Sequence, residues 1–187
     1  MAGRVISIEK GLVTLADKEN HKIGIVAHPA GVSKIAVSGR MPLSDLRKGM
    51  IVRMLSSVDA HGQRTEPVTS FEIISPAGVN KVPEITPGKL QTIVGTISKL
   101  HGDHMQMKVT TGPVRNLTFV VSPQAEVTVD GSQLDLVALG DTVNAVGHQY
   151  QGQGIATEQQ IFANEITVTK PEAGETRQAA LVNRLEK

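Results

Sequence analysis

The feature that most constrains the fold is an internal repeat, in which two stretches of the chain follow the same order of apolar segments, turns and glycines. The segment GRVIS at residues 3–7 recurs as GTIS at 95–98, and both copies close on a Glu-Ile pair. The offset between the copies stays between 91 and 94 residues throughout. Order and spacing kept over such a distance predict two similar modules.

Within each copy, residues have the pattern of short strands. Apolar and polar residues alternate, and turn residues recur about every 8–12 positions, as is typical of a sandwich or small barrel. Only four aromatic residues occur, so the core must consist of Val, Ile, Leu, Ala and Met, of which Val and Ile favour sheet. The sequence therefore predicts an all-β protein of two tandem small barrels, at residues 1–75 and 93–169, with hairpin turns at Ser38-Gly39 and Asp130-Gly131.

The segments outside the two copies have a different composition. Residues 76–92 are rich in proline and glycine, which predicts a linker with some stiffness. Residues 170–187 form a C-terminal tail in which Leu181, Val182 and Leu185 recur at helical spacing with charges between them. A helix of this length is marginal alone, so we expect a short helical or extended tail that docks on a partner through these three residues.

The order of strand, hairpin, strand, a Leu-x-x-Gly-x-x-Val turn and a closing Glu-Ile strand resembles tandem bacterial OB-like small β-barrel domains. The turn runs here from Leu46 to Val52 and is also similar to one in the second-domain barrels of translation factors. The resemblance covers about 150 residues. It implies the barrel fold and, because such domains are largely uncharacterised and often exported, it leaves activity and compartment open.

Several classes of function are disfavoured by composition. The chain has no cysteine, which excludes disulfides, thiolate catalysis and Cys-ligated metal sites. No Gly-x-Ser-x-Gly or complete phosphate-binding loop occurs, so we predict no enzyme activity. No signal peptide is visible and no apolar run reaches the ~20 residues of a membrane helix, so the chain is either a processed exported protein or a cytoplasmic one.

One local cluster has the residue types of a metal site. His101, His104, Met105 and Met107 lie within seven residues, and soft thioethers with imidazoles suit copper, especially Cu(I). The cluster resembles the periplasmic copper chaperone of silver/copper efflux systems, which would make both methionines ligands beside one histidine, although that family also uses a tryptophan that is absent here. The alternative is that both methionines fill the core, because they align with inward positions of the first copy.

The leading prediction for function is a non-catalytic structural or protein-interaction protein, with the barrels as a scaffold or assembly subunit. Its partner would be another protein or a second copy, held through strand edges, the tail and opposite module charges. The charges are +3 for residues 1–75, from ten Lys/Arg and seven Asp/Glu, and −4 for 93–169, from three and seven. The alternatives are an envelope-type metal- or small-ligand-binding module and a nucleic-acid- or ribosome-associated barrel, although four aromatics leave no stacking platform for bases.

Overall fold

A computed structural model describes residues 1–9, 12–79, 84–149 and 159–171. These residues form an all-β fold, which confirms the all-β part of the predicted fold class. No helix in the described part of the chain is long and apolar enough to cross a bilayer. The predicted docking residues of the tail, Leu181, Val182 and Leu185, lie outside the described residues.

Eleven strands and three short 3-10 helices account for the regular structure of the described residues. The strands are β1 (Ala2–Glu9), β2 (Leu12–Ala16), β3 (Lys22–Ala27), β4 (Lys34–Arg40), β5 (Ile51–Ser56), β6 (Gln63–Ile74), β7 (Gln91–His101), β8 (His104–Lys108), β9 (Asn116–Gly131), β10 (Thr142–Gln149) and β11 (Gln159–Thr169). The 3-10 helices are Leu43–Asp45, Pro76–Gly78 and Leu134–Leu136. The first of them directly precedes the Leu46–Val52 turn that the resemblance is based on.

The chain forms two compact units. Unit 1 combines residues 1–39 with the described residues after Gly131, and unit 2 consists of residues 40–131. In sequence, unit 2 is therefore an insertion between the two parts of unit 1.

Unit 1 is a closed five-stranded barrel with one additional strand. Its first three strands form an antiparallel meander, β3 pairs in parallel with β11, and β11 pairs antiparallel with β10. The barrel closes where β10 pairs antiparallel with β1, and β4 lies parallel to the second half of β11. The buried core of unit 1 is aliphatic and includes Val5, Leu15, Ile23, Ile25, Val143, Ile166 and Val168.

Unit 2 has an equivalent ring of five strands. β7, β8 and β9 form the antiparallel meander, and β9 pairs in parallel with β6 over nearly the length of both strands. The hairpin β5–β6 closes the ring through antiparallel pairing of β5 with β7. Its core is larger in side-chain volume and includes Ile93, Ile97, Met105, Met107, Leu117 and Phe119.

The two units do not coincide with the sequence copies at 1–75 and 93–169. Hairpin β5–β6 belongs to the first copy but lies in unit 2, and hairpin β10–β11 belongs to the second copy but lies in unit 1.

The prediction of hairpin turns at Gly39 and Gly131 is wrong, because these residues lie in β4 and β9. They stand instead where the chain passes from one unit to the other. Gly39 has a φ of 121°, and a Cβ there would meet Lys170 at 3.0 Å, so only glycine suits this position.

The charge difference between the sequence copies does not carry over into the units. Residues 1–39 and 132–187 contain nine Lys/Arg against ten Asp/Glu, and residues 40–131 contain ten against eight. The formal charges are therefore −1 and +2. Opposite module charge, one basis of the predicted partner binding, is small in the folded units.

Part of the predicted linker is packed into unit 2. Ile85 is buried, and the Gly88 N–H donates to the Val58 carbonyl at 2.7 Å. β7 already begins at Gln91, inside the predicted linker. Residues 80–83 lie outside the described residues.

Candidate functional site

Unit 1 contains an apolar cavity that is lined by residues of β1, β2 and the 3-10 helix Leu134–Leu136. Its volume is about 190 Å³. Among the described lining residues, most are aliphatic, and the charged ones are Glu9 and Asp135. Among the aliphatic lining residues are Ile8, Leu12, Val13, Ile25, Leu134 and Val137. A site of this kind binds by exclusion of water from apolar surface.

A row of three aliphatic side chains across the meander of unit 1 lines one side of the cavity. Ile8 on β1 pairs with Val13 on β2, which pairs with Ile25 on β3. All three line the cavity, and Ile8 is 44% exposed.

The corresponding row of unit 2 is built from larger side chains. Leu100 on β7 pairs with Met105 on β8, which pairs with Phe119 on β9. Met105 and Phe119 are both 0% exposed. The side chains Met and Phe fill volume where unit 1 has Val and Ile, which accounts physically for a cavity at this row in unit 1.

A buried ion pair fixes the cavity wall formed by the 3-10 helix. The Lys170 ammonium lies 2.9 Å from Asp141 Oδ2 and donates to the Leu136 carbonyl at 2.8 Å. The two charged side chains are 2% and 1% exposed. Asp141 Oδ2 also accepts from the Ala138 N–H at 2.8 Å. Val137 lines the cavity and lies between Leu136 and Ala138, whose backbone groups bond to Lys170 and Asp141. The ion pair therefore fixes the position of this part of the cavity wall.

Unit 2 has a wider, open groove on the outer face of β5, β6 and β9. Its volume is about 490 Å³. Its carboxylates are engaged by guanidinium groups, because Arg53 lies 2.6 Å from Glu72 and Arg40 lies 2.7 Å from Glu126. Partly exposed pairs of this kind contribute little to stability. The groove is more polar than the cavity, because six of its nine described lining residues are polar or charged.

The structure separates the members of the copper cluster suggested by the sequence. Met105 and Met107 are 0% exposed in the core of unit 2. His101 and His104 are exposed at the end of the β7–β8 hairpin, where His104 Nδ1 lies 2.7 Å from Asp103 Oδ1. Adjacent strand residues point to opposite faces, so His104 and Met105 face away from each other. Within the described ranges, no three His, Asp or Glu side chains are grouped so as to hold a metal ion.

Asp17 and Asp59 are turn residues whose carboxylates accept hydrogen bonds from nearby backbone N–H groups. Desolvation raises the pKa of Asp17, but hydrogen bonds from the backbone N–H groups of His21 and Glu19 outweigh it and hold the pKa below its usual value. The pKa of Asp59 is lowered chiefly by the backbone N–H of Gln63, which donates to Oδ1 at 2.8 Å. Both side chains stabilise the backbone of their turns.

Sequence reasoning missed a small cluster of rings on unit 1. The His28 ring lies 6.5 Å from that of His148 and 6.3 Å from that of Phe162. The Ala30 N–H donates to His28 Nδ1 at 3.1 Å, which places the proton of the neutral ring on Nε2. The parallel pairing of β3 with β11 assembles this cluster from residues far apart in sequence, and no sequence signal points to it.

Comparisons of the chain with protein-family models, with curated proteins and with solved structures returned no match. The function is therefore inferred from the residues of the cavity. The described lining residues define a site of moderate size with a mainly aliphatic wall. Its titratable side chains, among those residues, are Glu9 and Asp135.

Proposed function

We propose that this chain is a non-catalytic protein-interaction protein that receives an apolar group of its partner in the cavity of unit 1. The main evidence for this proposal is the cavity, which has a volume of about 190 Å³ and a mainly aliphatic wall. A dry apolar cavity of about 150 Å³ admits a benzene-sized molecule. The site therefore suits one aromatic ring or one branched aliphatic side chain, whose burial contributes about 1.5–3 kcal/mol.

Because the strands of each unit close into a ring, the cavity is a more suitable site for a partner than a strand edge. In unit 1 the edges of β1 and β10 are used to pair with each other. In unit 2 the edges of β5 and β7 are used in the same way. A closed ring removes the free edges at which another strand would add.

The strand order supports the OB-like assignment and an origin by duplication. In each unit the third meander strand is parallel to the second hairpin strand, and the first meander strand is antiparallel to the first hairpin strand. In this proposal the two copies have exchanged their C-terminal hairpins, so each barrel combines the meander of one copy with the hairpin of the other. The exchange makes a scaffold in which neither barrel is complete from one copy alone.

Filling the cavity is expected to abolish binding of a small apolar probe. The double variant Val13→Met, Ile25→Phe gives unit 1 the residues of the unit 2 row. In the unaltered chain, titration with benzene is expected to shift the methyl NMR signals of Val137 and Val143 saturably. In the filled variant these signals are expected to stay unshifted at the same benzene concentrations, because the space is occupied.

Leu55→Met serves as the matched control, since Leu55 is 66% exposed in unit 2. It adds no volume to the cavity and is expected to leave benzene binding unchanged. Benzene-induced shifts of equal size in the filled variant, or no saturable shift in any variant, would rule out the cavity as the binding site.

A further inference from the structure

We infer that the partner of the cavity is a second copy of this chain, and that the side chain entering the cavity is Leu90 of unit 2. This inference rests on the proposed function and names the partner of that site. The observations that carry it are the exposure of Leu90, the fixed loop that holds it, the capacity of the cavity and the charges beside the two surfaces.

Leu90 is a large apolar side chain that the fold leaves in water. In the described part of unit 2, the exposed large hydrophobic residues are Leu55, at 66%, and Leu90, at 62%. Leu55 stands within β5 among the side chains that line the open groove. Leu90 instead lies in the loop that directly precedes β7. A loop residue suits insertion into a cavity better than a residue on the face of a sheet, so we assign the contact to Leu90.

The loop that carries Leu90 is fixed to the body of unit 2. The Gly88 N–H donates to the Val58 carbonyl at 2.7 Å, and the Lys89 N–H donates to the Thr86 carbonyl at 3.3 Å. A side chain presented from a fixed loop loses less conformational entropy on binding than one presented from a flexible loop. The loop therefore holds Leu90 ready for insertion.

The capacity of the cavity matches one side chain of this size. The volume of about 190 Å³ exceeds the roughly 150 Å³ that admits one benzene-sized molecule, so the cavity takes one leucine side chain. Leu90 supplies a single large apolar side chain, because its neighbours Lys89 and Gln91 are polar. Ile8, which lines the cavity and is 44% exposed, offers further apolar surface for the entering leucine.

The charges beside the two surfaces have opposite signs. Lys89 directly precedes Leu90 and is exposed. The charged residues among the described cavity lining are Glu9 and Asp135, which are also exposed. An ammonium group that approaches these carboxylates steers the encounter and fixes the orientation of the insertion more than it adds affinity. The cavity therefore favours a leucine with a basic neighbour over one with an acidic neighbour.

The test mixes two full-length variants, each of which keeps only one of the two surfaces. The filled variant Val13→Met, Ile25→Phe keeps Leu90, and the Leu90→Asp variant keeps the cavity. The filled variant is isotope-labelled, and its Leu90 methyl NMR signals are followed as unlabelled Leu90→Asp protein is added. These signals are expected to shift saturably with a dissociation constant on the order of 1 mM, because one inserted side chain gives weak binding. Unlabelled filled variant is expected to leave them unshifted, since its cavity is occupied.

Three controls locate the contact on both surfaces. Leu55→Asp, added to the labelled variant, changes the other exposed leucine of unit 2 and is expected to leave the dissociation constant unchanged. Lys89→Glu in the same protein is expected to weaken binding about fivefold, because it places a negative charge beside the carboxylates of Glu9 and Asp135. Saturating benzene is expected to suppress the shift, and this control needs no substitution in the cavity.

The outcomes distinguish failure of this inference from failure of the proposed function. Shifts of equal size with the Leu90→Asp protein and with the filled variant would place the contact of Leu90 outside the cavity and overturn the inference. No shift with either protein, while benzene still binds to the unaltered chain, would mean that the partner is a different molecule, and the cavity site would stand. Absence of benzene binding to the unaltered chain would remove the site itself.

Discussion

Asp141→Ala is expected to lower the free energy of unfolding of unit 1 by about 3–5 kcal/mol. The substitution leaves the Lys170 ammonium 2% exposed with the Leu136 carbonyl as its remaining partner among the hydrogen bonds described. It also removes the acceptor of the Ala138 N–H. A buried charge without its counter-ion is among the costliest defects that one substitution produces. Urea unfolding, followed by NMR signals assigned to unit 1, measures the loss.

Two further variants test whether the loss comes from the unpaired charge. The double variant Asp141→Leu, Lys170→Met removes both charges and is expected to recover most of the stability, because an apolar pair of similar volume is often as stable as a buried ion pair. Glu72→Ala breaks the partly exposed pair with Arg53 and is expected to cost about 1 kcal/mol or less. A loss below 1 kcal/mol for Asp141→Ala would contradict the description of this pair.

Phe119→Ala is expected to lower the free energy of unfolding of unit 2 by about 3–5 kcal/mol. Phe119 is 0% exposed and lies opposite Met105 in the row that fills the end of this barrel. The substitution removes a large apolar side chain and leaves a cavity that the surrounding strands cannot fully close. The measurement is urea unfolding monitored by NMR signals of unit 2.

Leu55→Ala is the control for this prediction, since it truncates a side chain of the same unit that is 66% exposed. Its expected effect is within about 0.5 kcal/mol. If Phe119→Ala cost no more than Leu55→Ala, the row Leu100, Met105 and Phe119 would not be the packed core that distinguishes unit 2 from unit 1.

Local pattern was sufficient to predict the strands but not the partner of each hairpin. Alternation of apolar and polar residues marks strands such as β2 and β8 directly, because it reports which face is buried. Hairpins β5–β6 and β10–β11 have the same alternation of apolar and polar residues. By this pattern alone, either hairpin could pair with either meander. The choice between them depends on side-chain packing over the whole barrel, which a periodicity does not encode.

The cavity and its supporting ion pair were also beyond a sequence pattern. The cavity depends on Val13 standing beside Ile25, and each is an ordinary strand residue when seen alone. Asp141 and Lys170 are 29 residues apart, and both occur in segments where polar residues are common. By contrast, burial of Met105 and Met107 was predicted, as the alternative to metal ligation, because both align with inward positions of the first copy.

The proposed exchange of hairpins between the two copies is the central claim, and engineered disulfides in this cysteine-free chain test it directly. Arg4 lies opposite Thr142, and the neighbouring Val5 N–H donates to the Asp141 carbonyl, so Arg4 and Thr142 form a narrow pair with Cα atoms about 4.5 Å apart. Disulfides span such a separation. The variant Arg4→Cys, Thr142→Cys is expected to oxidise to an intramolecular disulfide that shifts its mobility on a non-reducing gel, while Arg4→Cys, Ile51→Cys keeps both thiols free. Ready oxidation of the second pair, with free thiols in the first, would mean that each barrel is built from one contiguous copy.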